Sequence, residues 1–462
     1  LGVTGLWLMP VMRSPSYHGY DVLNYLDINP NYGTMDDMRE LIDEAHARGM
    51  VVIIDMIFNH TSRAHPWFSR SAQQQPGYAD YYVWSDTDPG FRGPDNQQVW
   101  HPYAGRSFYG LFSSSMPDLN LLSEDVTAEI HEIARFWLED VGVDGFRLDA
   151  VKHYVEEGSD QENTASTHAW TTALNAYVHG LVPEALLIGE VWSNTYDAAP
   201  YVADGELNLV FEFDFAQAIL DAAGRGDPAG VVTLQQRLID QYPLGQYASF
   251  LANHDQNRVM SVLRNDAGQA RVAAATLLTA PGVPFLYYGE EIGMTGVKPD
   301  ERIRTPMQWD DTPVTAGFTD GRSTWQPLSE SHEAGVSVAA QDADPGSLLN
   351  FYRSLIHLRN AEPALRQGDW LNLRASNRDV YAFLRRTPED TLLVLINYTD
   401  QVVTDLLLEA RAGALPPVTQ AEVIFGAATE ATIPQLAEDG SFEDWAPIPS
   451  LGPHDTVIIR LS

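Results

Sequence analysis

The chain has 462 residues, a hydrophobic content of 44% and a formal net charge of −35, and it contains no cysteine. This length predicts about two or three domains with enough apolar residues for packed cores, and no apolar run approaches the ~18 residues that cross a membrane. Disulfides and thiol chemistry are excluded, and nucleic acid is not expected as a partner because this charge would repel phosphate.

The first residues, LGVTGLWLMP, contain no basic stretch, no initiating Met and no cleavage site of a signal peptide. They are typical of the end of a helix that runs straight into a strand. We therefore interpret the sequence as lacking its natural N-terminus, together with the first strand of the fold. We expect an extracellular or periplasmic location. The signal peptide that would direct the protein there is not visible, because it would belong to the missing N-terminal part.

Strand-like runs alternate with helix-like stretches along most of the chain. Apolar residues at helical spacing predict helices over 36–48 and 124–140, with Gly49 ending the first and Ser123 as N-cap of the second. The alternation is typical of parallel sheet, and the apolar runs VVIIDMIF and LLIGEV indicate strands that are covered on both faces. The strand-like runs end near Pro10, Asn59, Asp149, Val191, Phe215, Asn253 and Tyr288.

Two segments interrupt this alternation. Residues 60–118 are rich in Gly, Pro, Ser and aromatic residues without helical period, which predicts an insertion. From about residue 369, short alternating runs such as DVYAFLRR predict an antiparallel β-domain. A closed (β/α)₈ barrel needs eight strands, and we place the absent one before residue 1. The prediction is an α/β fold: a (β/α)₈ TIM barrel (1–59 and 119–368), an inserted small domain (60–118) and a C-terminal antiparallel β-sandwich (369–462).

Three acidic residues stand at the ends of strand-like runs: Asp149 in GFRLDAVKH, Glu190 in LLIGEVW and Asp255 in SFLANHD. Burying an isolated carboxylate is costly, so an acid at this position usually belongs to a site. In a (β/α)₈ barrel the active site lies at this end of the strands. Three such acids can supply a nucleophile, a proton donor and a charge stabiliser, which together can break a glycosidic bond.

Arg147 precedes Asp149 by two residues, so both side chains share one face of the strand. A fixed cation would keep the acid ionised and therefore suited to nucleophilic attack. A purely structural Arg–Asp pair explains the same spacing, and this motif alone does not separate the two interpretations. Two Asn-His pairs beside acids, in DMIFNH and FLANHD, add groups that are suited to binding sugar hydroxyls.

The order of these motifs resembles the α-amylase family of glycoside hydrolases over nearly the whole chain. MPDLN is intermediate between the oligo-1,6-glucosidase and neopullulanase versions of that motif, so the chain is most similar to the intermediate-type α-amylases. The matching segments are, in order, GLWLMP, DMIFNH, MPDLN, GFRLDAVKH, GEVW, FLANHD, GVPFLYYGEE and RTPMQWDD.

The resemblance implies a role for each matching residue. Asp149 corresponds to the nucleophile, Glu190 to the general acid/base and Asp255 to the third carboxylate, which holds sugar hydroxyls. Asp55 corresponds to a buried structural acid. The residues that correspond to substrate-binding positions are Tyr20, His60, Arg147, Lys152 and His254. Aromatic residues of the insertion that could line sugar subsites, although packing accounts for most of them, are Trp67, Trp84, Trp100, Tyr103 and Tyr109.

The resemblance also implies a calcium ion between barrel and insertion. Asn59, Asp118 and the carbonyl group of His153 match calcium ligands of the family, and oxygen-only ligation suits this hard cation. Some relatives with a similar motif lack the ion. A further protein ligand from residues 60–118 is not identified by the sequence.

The implied reaction is retaining endo-hydrolysis of α-1,4-glucosidic bonds in starch-like glucans by a monomer. Exo-acting relatives commonly carry Asp-Asn where this chain has Tyr17-His18, and that change removes the acid that would clamp a terminal glucose. The alternatives are an exo-acting α-glucosidase or oligo-1,6-glucosidase, and an α-glucanotransferase. A non-catalytic, transporter-associated relative would lack the three acids and carry a membrane span.

The acidic charge has two interpretations that do not affect the reaction. Lys152 and Lys298 are the only lysines, which is typical of a soluble acidic protein from an arginine-favouring genome. Adaptation to high salt explains the charge equally well, because salt screens the repulsion between surface carboxylates.

Overall fold

The computed structural model describes residues 1–462. The chain divides into two compact units, of which one is Val3–Phe211 and the other combines Leu1–Gly2 with Glu212–Ser462. None of the helices combines the length and the apolar character that a membrane crossing requires.

A five-stranded parallel sheet is the main element of the unit Val3–Phe211, and its strands neighbour one another in chain order. Parallel neighbours need crossover connections, which usually contain a helix. The helices between these strands include Met35–His46, Glu124–Arg135 and Ala165–Leu181. The strands are Gly5–Leu8, Val51–Met56, Gly145–Leu148, Leu186–Gly189 and Leu209–Val210.

The two helices that the sequence predicts, over 36–48 and 124–140, are present in the structure, but their ends differ from the prediction. Met35–His46 begins at Thr34 with a capping box that Thr34 and Asp37 form. Glu124–Arg135 continues as a π-helix to Val141, and Gly142 ends it with φ of 92°. Ser123 occupies the N-cap position, but its side chain makes no capping hydrogen bond.

The insertion contains a helix that its composition did not predict. Pro66–Ala72 begins with proline in its first turn, where the missing N–H costs nothing. The strand Arg106–Tyr109 pairs antiparallel with Trp84–Ser85 on one side and with Trp100–Tyr103 on the other. The Phe68 ring contacts the rings of Tyr82, Trp84, Tyr103 and Phe108. Trp84 and Tyr103 therefore pack at the edge of this aromatic cluster around Phe68, and Tyr103 stays 39% exposed.

The second unit opens with helices and one short parallel strand pair, Ala248–Ser249 with Val283–Pro284. The strand that the sequence predicts to end near Phe215 is present but ends at Val210, and Phe215 itself lies inside the helix Phe213–Arg225. The helices of four or more residues are Phe213–Arg225, Ala229–Gln241, Val259–Val262, Ala267–Thr279, Asp300–Ile303, Val338–Asp342, Leu348–Ala361 and Pro363–Gln367.

Antiparallel sheets make up the C-terminal region. A five-stranded sheet has the order Asp369–Asn372, Val380–Arg386, Thr391–Asn397, Thr456–Leu461 and Ala421–Phe425. A three-stranded sheet has the order Arg374–Ala375, Leu408–Ala410 and Phe442–Trp445, and Val403–Thr404 pairs with Ser450–Leu451. One buried cluster takes Leu393 and Val457 from the first sheet and Leu408 and Trp445 from the second, so the sheets share a hydrophobic core.

Two buried arginines bind only backbone carbonyl groups. The Arg385 guanidinium donates to the carbonyl oxygens of Thr279 (2.6 Å) and Gly368 (2.9 Å), and Arg359 donates to that of Leu278 (2.8 Å). Thr279 is the last residue of a helix, where free carbonyl groups and the helix dipole favour a cation. Burial lowers the pKa of Arg359 to about 10 and that of Arg385 to about 9.

Glu290 makes stability depend on pH. Tyr352 Oη donates to Glu290 Oε1 (2.8 Å), Oε2 is buried without a partner, and burial raises the pKa of Glu290 to about 8. The folded carboxyl group therefore keeps its proton to a higher pH than the unfolded one. This contribution to stability is complete below the unfolded pKa of about 4.5 and falls as pH rises to 8, by up to about 1.4 kcal/mol per pH unit.

We expect Glu290→Gln, which resembles the protonated acid, to reduce the loss of unfolding free energy between pH 5 and pH 8. Urea unfolding at the two pH values measures this difference. The matched control is Glu330→Gln, which replaces an exposed acid and should leave the pH dependence unchanged. Equal pH dependence in Glu290→Gln and the unsubstituted protein would contradict the prediction.

Candidate active site

The register of the parallel sheet brings the first predicted site residues together. Asp55 and Arg147 are direct neighbours on adjacent strands, so their side chains share one face. Backbone bonds continue beyond the strands: Asp149 N–H donates to Met56 O (3.1 Å) and Glu190 N–H donates to Leu148 O (2.9 Å). Three neighbouring strands thus deliver Asp55, Asp149 and Glu190 to one edge of the sheet.

Arg147 is the common partner of these three carboxylates. Its Nη1 lies 2.8 Å from Asp55 Oδ1 and 2.6 Å from Asp149 Oδ1, and its Nη2 lies 3.1 Å from Glu190 Oε2. The guanidinium is fully buried. Burial opposes its charge, but the three surrounding acids raise the pKa of Arg147 well above its usual value. Arg147 therefore fixes the positions of the predicted nucleophile and acid/base at once.

Asp55 lies behind this pair and is completely buried. Its Oδ2 accepts a hydrogen bond from Tyr20 Oη (2.9 Å). Burial raises the pKa of Asp55 to about 6, although Arg147 and Tyr20 act in the opposite direction. These contacts are those of a residue that orients its neighbours, in line with the structural role predicted for Asp55.

The turn after Asp149 holds Glu190 in place. Ala150 adopts the left-handed conformation, with φ of 52° and ψ of 36°, which is strained for a residue with a Cβ. In this conformation Ala150 N–H donates to Glu190 Oε2 (3.0 Å), and Val151 N–H donates to Glu190 O (3.1 Å). Backbone strain of this kind is typical of functional sites.

Tyr20 and His60 form a second layer of polar groups. Burial lowers the pKa of His60 to about 4, so the ring is neutral at pH 7. Nε2 lies 3.1 Å from Tyr20 O, which can only accept, so this nitrogen carries the proton. His60 Nδ1 then accepts from Asn59 Nδ2 (3.3 Å). The ring is oriented from both sides.

Phe112 is a neighbour of this site that the sequence interpretation missed. Its side chain is 47% exposed, and its ring centroid lies 5.2 Å from that of His60 and 6.0 Å from that of His153. Phe112 precedes MPDLN in the insertion, where the sequence offers many aromatics and no periodicity to separate them. Only its contact with His60 identifies Phe112 as a residue of this site, and the folded structure is needed to see that contact.

The ammonium group of Lys152 is engaged within the protein. Nζ donates to Trp192 O (2.8 Å) and lies 2.6 Å from Glu162 Oε1. Lys152 therefore ties the segment after Glu190 to the turn after Asp149. Its predicted contact with sugar stays a prediction, and its observed contact positions Trp192, which is exposed.

The three predicted metal ligands lie in the unit Val3–Phe211. Asn59 Nδ2 donates to Asp118 Oδ2 (3.0 Å), while Asn59 Oδ1 is buried and has no hydrogen-bond partner. The His153 ring binds Gln161 O through Nδ1 (2.9 Å), which leaves its carbonyl group as the candidate donor. His, Asp and Glu side chains form no group of three that could hold a metal ion. An ion here would depend on amide and carbonyl oxygens in addition to Asp118.

The predicted residues Asp255 and His254 belong to the second unit, where Arg304 binds them both. Arg304 Nη2 donates to Asp255 Oδ1 (2.7 Å), and Arg304 Nε donates to His254 O (2.9 Å). His254 Nε2 lies 3.1 Å from Asp255 Oδ2. The sequence interpretation assigned no role to Arg304, although it is the first residue of the recognised stretch RTPMQWDD.

Neighbouring parallel strands thus present carboxylates to one buried guanidinium, beside an oriented tyrosine and a neutral histidine. This arrangement is suited to the chemistry of the glycoside hydrolases. The family described as "Alpha amylase, catalytic domain" matches residues 1–368. The chain therefore belongs to the alpha-amylase family. This membership confirms the predicted resemblance to the α-amylase family and the (β/α)₈ barrel, while the likeness to the intermediate-type α-amylases stays a prediction. The antiparallel sheets described above form the C-terminal region.

Similar proteins are named for different activities. Alpha-amylase 3 of Dictyoglomus thermophilum is 36% identical over 409 residues, which cover 86% of this chain and 77% of that protein. An oligo-1,6-glucosidase of Parageobacillus thermoglucosidasius is 31% identical over 482 residues, covering 87% and 84%. The crystal structure of alpha-amylase from H. orenii superposes with a TM-score of 0.85 at 35% identity, covering 100% of this chain and 90% of that one.

Proposed function

We propose that the protein is a retaining endo-hydrolase of α-1,4-glucosidic bonds in starch-like glucans and maltooligosaccharides. The observation that carries this proposal is the shared binding of Asp149 and Glu190 to Arg147 at the ends of adjacent strands. Retaining enzymes place the nucleophile and the acid/base about 5–5.5 Å apart. One guanidinium holding both carboxylates favours such a short separation.

In the proposed reaction Asp149 attacks the anomeric carbon while Glu190 donates its proton to the departing glycosidic oxygen. A glycosyl ester of Asp149 results, and the shortened glucan leaves with a free hydroxyl group. Glu190 then removes a proton from water, which attacks the anomeric carbon and releases Asp149. We assign to Asp255 the binding of sugar hydroxyls, which strengthens as positive charge develops on the sugar.

Endo-action is favoured by the loop that holds Tyr17 and His18. Aromatic side chains occupy the position where exo-acting relatives commonly place Asp-Asn, so this position offers no carboxylate to a terminal glucose. Exo-action is the alternative, because one similar protein is described as an oligo-1,6-glucosidase. The products formed early in the digestion of a glucan therefore distinguish endo-hydrolysis from exo-hydrolysis.

Brief digestion of maltoheptaose is the test. Endo-hydrolysis gives maltooligosaccharides of intermediate length, an exo-glucosidase gives glucose alone, and a glucanotransferase gives chains longer than the substrate. Proton NMR of the first products should show the α-anomer, because two displacements at the anomeric carbon retain its configuration. Initial β-anomer, or hydrolysis of isomaltose in preference to maltoheptaose, would contradict the proposal.

We also propose that Asn59, Asp118 and the carbonyl group of His153 hold calcium. The residues fit the ion, because Asn59 Oδ1 is a buried oxygen without a partner and the Asp118 carboxylate is buried beside it. Oxygen donors of this kind suit calcium. The ion would neutralise Asp118 and join the end of strand Val51–Met56 to the end of the insertion.

Removal of the ion should then destabilise the fold. Calcium at about 100 times its Kd would stabilise the folded protein by about 2.7 kcal/mol, so we expect chelation to lower the melting temperature by several degrees and added calcium to restore it. Asp118→Asn should remove most of this response, whereas Asp311→Asn, at an exposed acid, should keep it. A melting temperature that ignores chelator in metal-free protein would refute the site.

A further inference from the structure

The loop between strands Met12–Arg13 and Asn24–Ile28 presents a row of aromatic rings that leads away from Asp55 and Arg147. Tyr20 donates to Asp55, and the centroid of its ring lies 5.9 Å from the guanidinium carbon of Arg147. The His18 ring stacks on Tyr20 with centroids 6.1 Å apart and an interplanar angle of 22°. The row thus begins at the candidate active site.

The row continues to the protein surface through Tyr17, and Tyr32, which follows the strand Asn24–Ile28, adjoins Tyr17 there. The Tyr17 ring meets His18 edge-on, with centroids 5.5 Å apart, and Tyr32 Oη lies 3.5 Å from Tyr17 O. Tyr17 is 37% exposed and Tyr32 is 56% exposed. Exposed tyrosines that adjoin a buried site offer flat apolar faces with a polar edge, which suit the mixed surface of a sugar ring.

Hydrogen bonds within the loop hold its backbone and the His18 ring in place. Tyr20 N–H donates to His18 Nδ1 (3.1 Å), and Ser14 Oγ donates to Asp21 Oδ1 (2.8 Å). Gly19 adopts φ of 82°, and a Cβ there would lie 2.8 Å from Pro10 Cβ. A platform that is fixed before the ligand arrives loses little conformational freedom on binding.

We propose that Tyr17, His18 and Tyr32 form a binding platform for glucose units on the non-reducing side of the bond that is cleaved, beyond the unit next to Tyr20. This inference deepens the proposed function and rests on it. The occupant is a neutral α-1,4-glucan of at least two or three units on that side. The platform takes the place that a carboxylate would need in order to bind a chain end.

Glycosyl fluorides test the platform by itself, because fluoride replaces every sugar on the leaving-group side. α-Glucosyl fluoride has one glucose and α-maltotriosyl fluoride has three. In the unsubstituted protein we expect kcat/KM to be higher for the longer substrate. Tyr17→Ala and Tyr32→Ala should each lower kcat/KM for α-maltotriosyl fluoride by about 5-fold or more and leave that for α-glucosyl fluoride within about twofold.

The matched controls are Tyr17→Phe and Tyr32→Phe, which keep the rings and should keep the preference for the longer substrate. Melting temperatures of all four variants show that the fold is intact. Equal losses on both fluorides, or no loss on either, would overturn the platform while the proposed function stands. If the unsubstituted protein releases fluoride from neither substrate, the proposed function itself fails.

Discussion

Replacement of Asp149 by Asn is expected to lower kcat on maltoheptaose by about 10⁴-fold or more, the scale that accompanies loss of a nucleophile. A neutral amide cannot form the glycosyl ester on which the second step depends. The fold should remain intact, because Arg147 keeps its contacts with Asp55 and Glu190. The measurement combines kcat with a melting curve, and substantial turnover by Asp149→Asn would remove the assignment.

Glu190→Gln is the informative partner of this variant. It should also cripple hydrolysis of maltoheptaose, since the glycosidic oxygen then leaves without a proton. It should be far less harmful with a glycosyl fluoride, whose leaving group needs little protonation. The same substrate should not rescue Asp149→Asn. An equal response of the two variants to the fluoride would mean that the roles of nucleophile and acid/base are assigned wrongly.

Replacement of Arg147 by Met should cost about 3–5 kcal/mol of unfolding free energy. The change leaves three carboxylates close together without their common cation, and Asp55 among them is completely buried. The deficit should shrink as pH falls from 7 towards 6, because Arg147 lowers the pKa of Asp55, which burial raises to about 6, and Asp55 therefore takes up a proton at higher pH in the variant. Guanidinium chloride unfolding at pH 5 and pH 7 measures both effects.

Arg135→Met is the matched control for this prediction. Arg135 also has three acidic partners, Glu132, Glu139 and Asp140, but these pairs lie at the protein surface. Exposed ion pairs contribute about 0–1 kcal/mol, so Arg135→Met should change stability little. If the two variants differed by less than about 1 kcal/mol, burial of the Arg147 cluster would not explain its stabilising effect.

The sequence predicts best what depends on periodicity. Arg147 and Asp149 share a face because side chains alternate along a strand, and the alignment of strand ends follows from parallel pairing. For this reason the contact between Arg147 and Asp149 could be predicted, and Asp55 joins it through the register of the neighbouring strand. The predicted periodicity of 36–48 likewise corresponds to the helix Met35–His46.

The sequence could not predict features that depend on the path of loops. Phe112 reaches His60 from the insertion, and Arg304 reaches Asp255 across 49 positions of sequence. The sequence around Phe112 and Arg304 does not show which distant residue each side chain contacts. The engagement of Lys152 by Glu162 is of the same kind, because only the folded turn brings the two charges together. The domain boundaries and the residue roles stay predictions that substitutions and digestion must test.

The two carbonyl-binding arginines have a consequence for protein engineering. Arg385 belongs to a strand of the C-terminal sheet, and one of its acceptors, Thr279 O, belongs to a helix of the preceding region. A chimera that exchanges the C-terminal sheets for those of a relative would remove this cation and leave the carbonyl group of Thr279, the last residue of that helix, without the donor that Arg385 supplies. Grafts should therefore carry the arginine at this strand position, or the recipient will be unstable even when the new sheets fold.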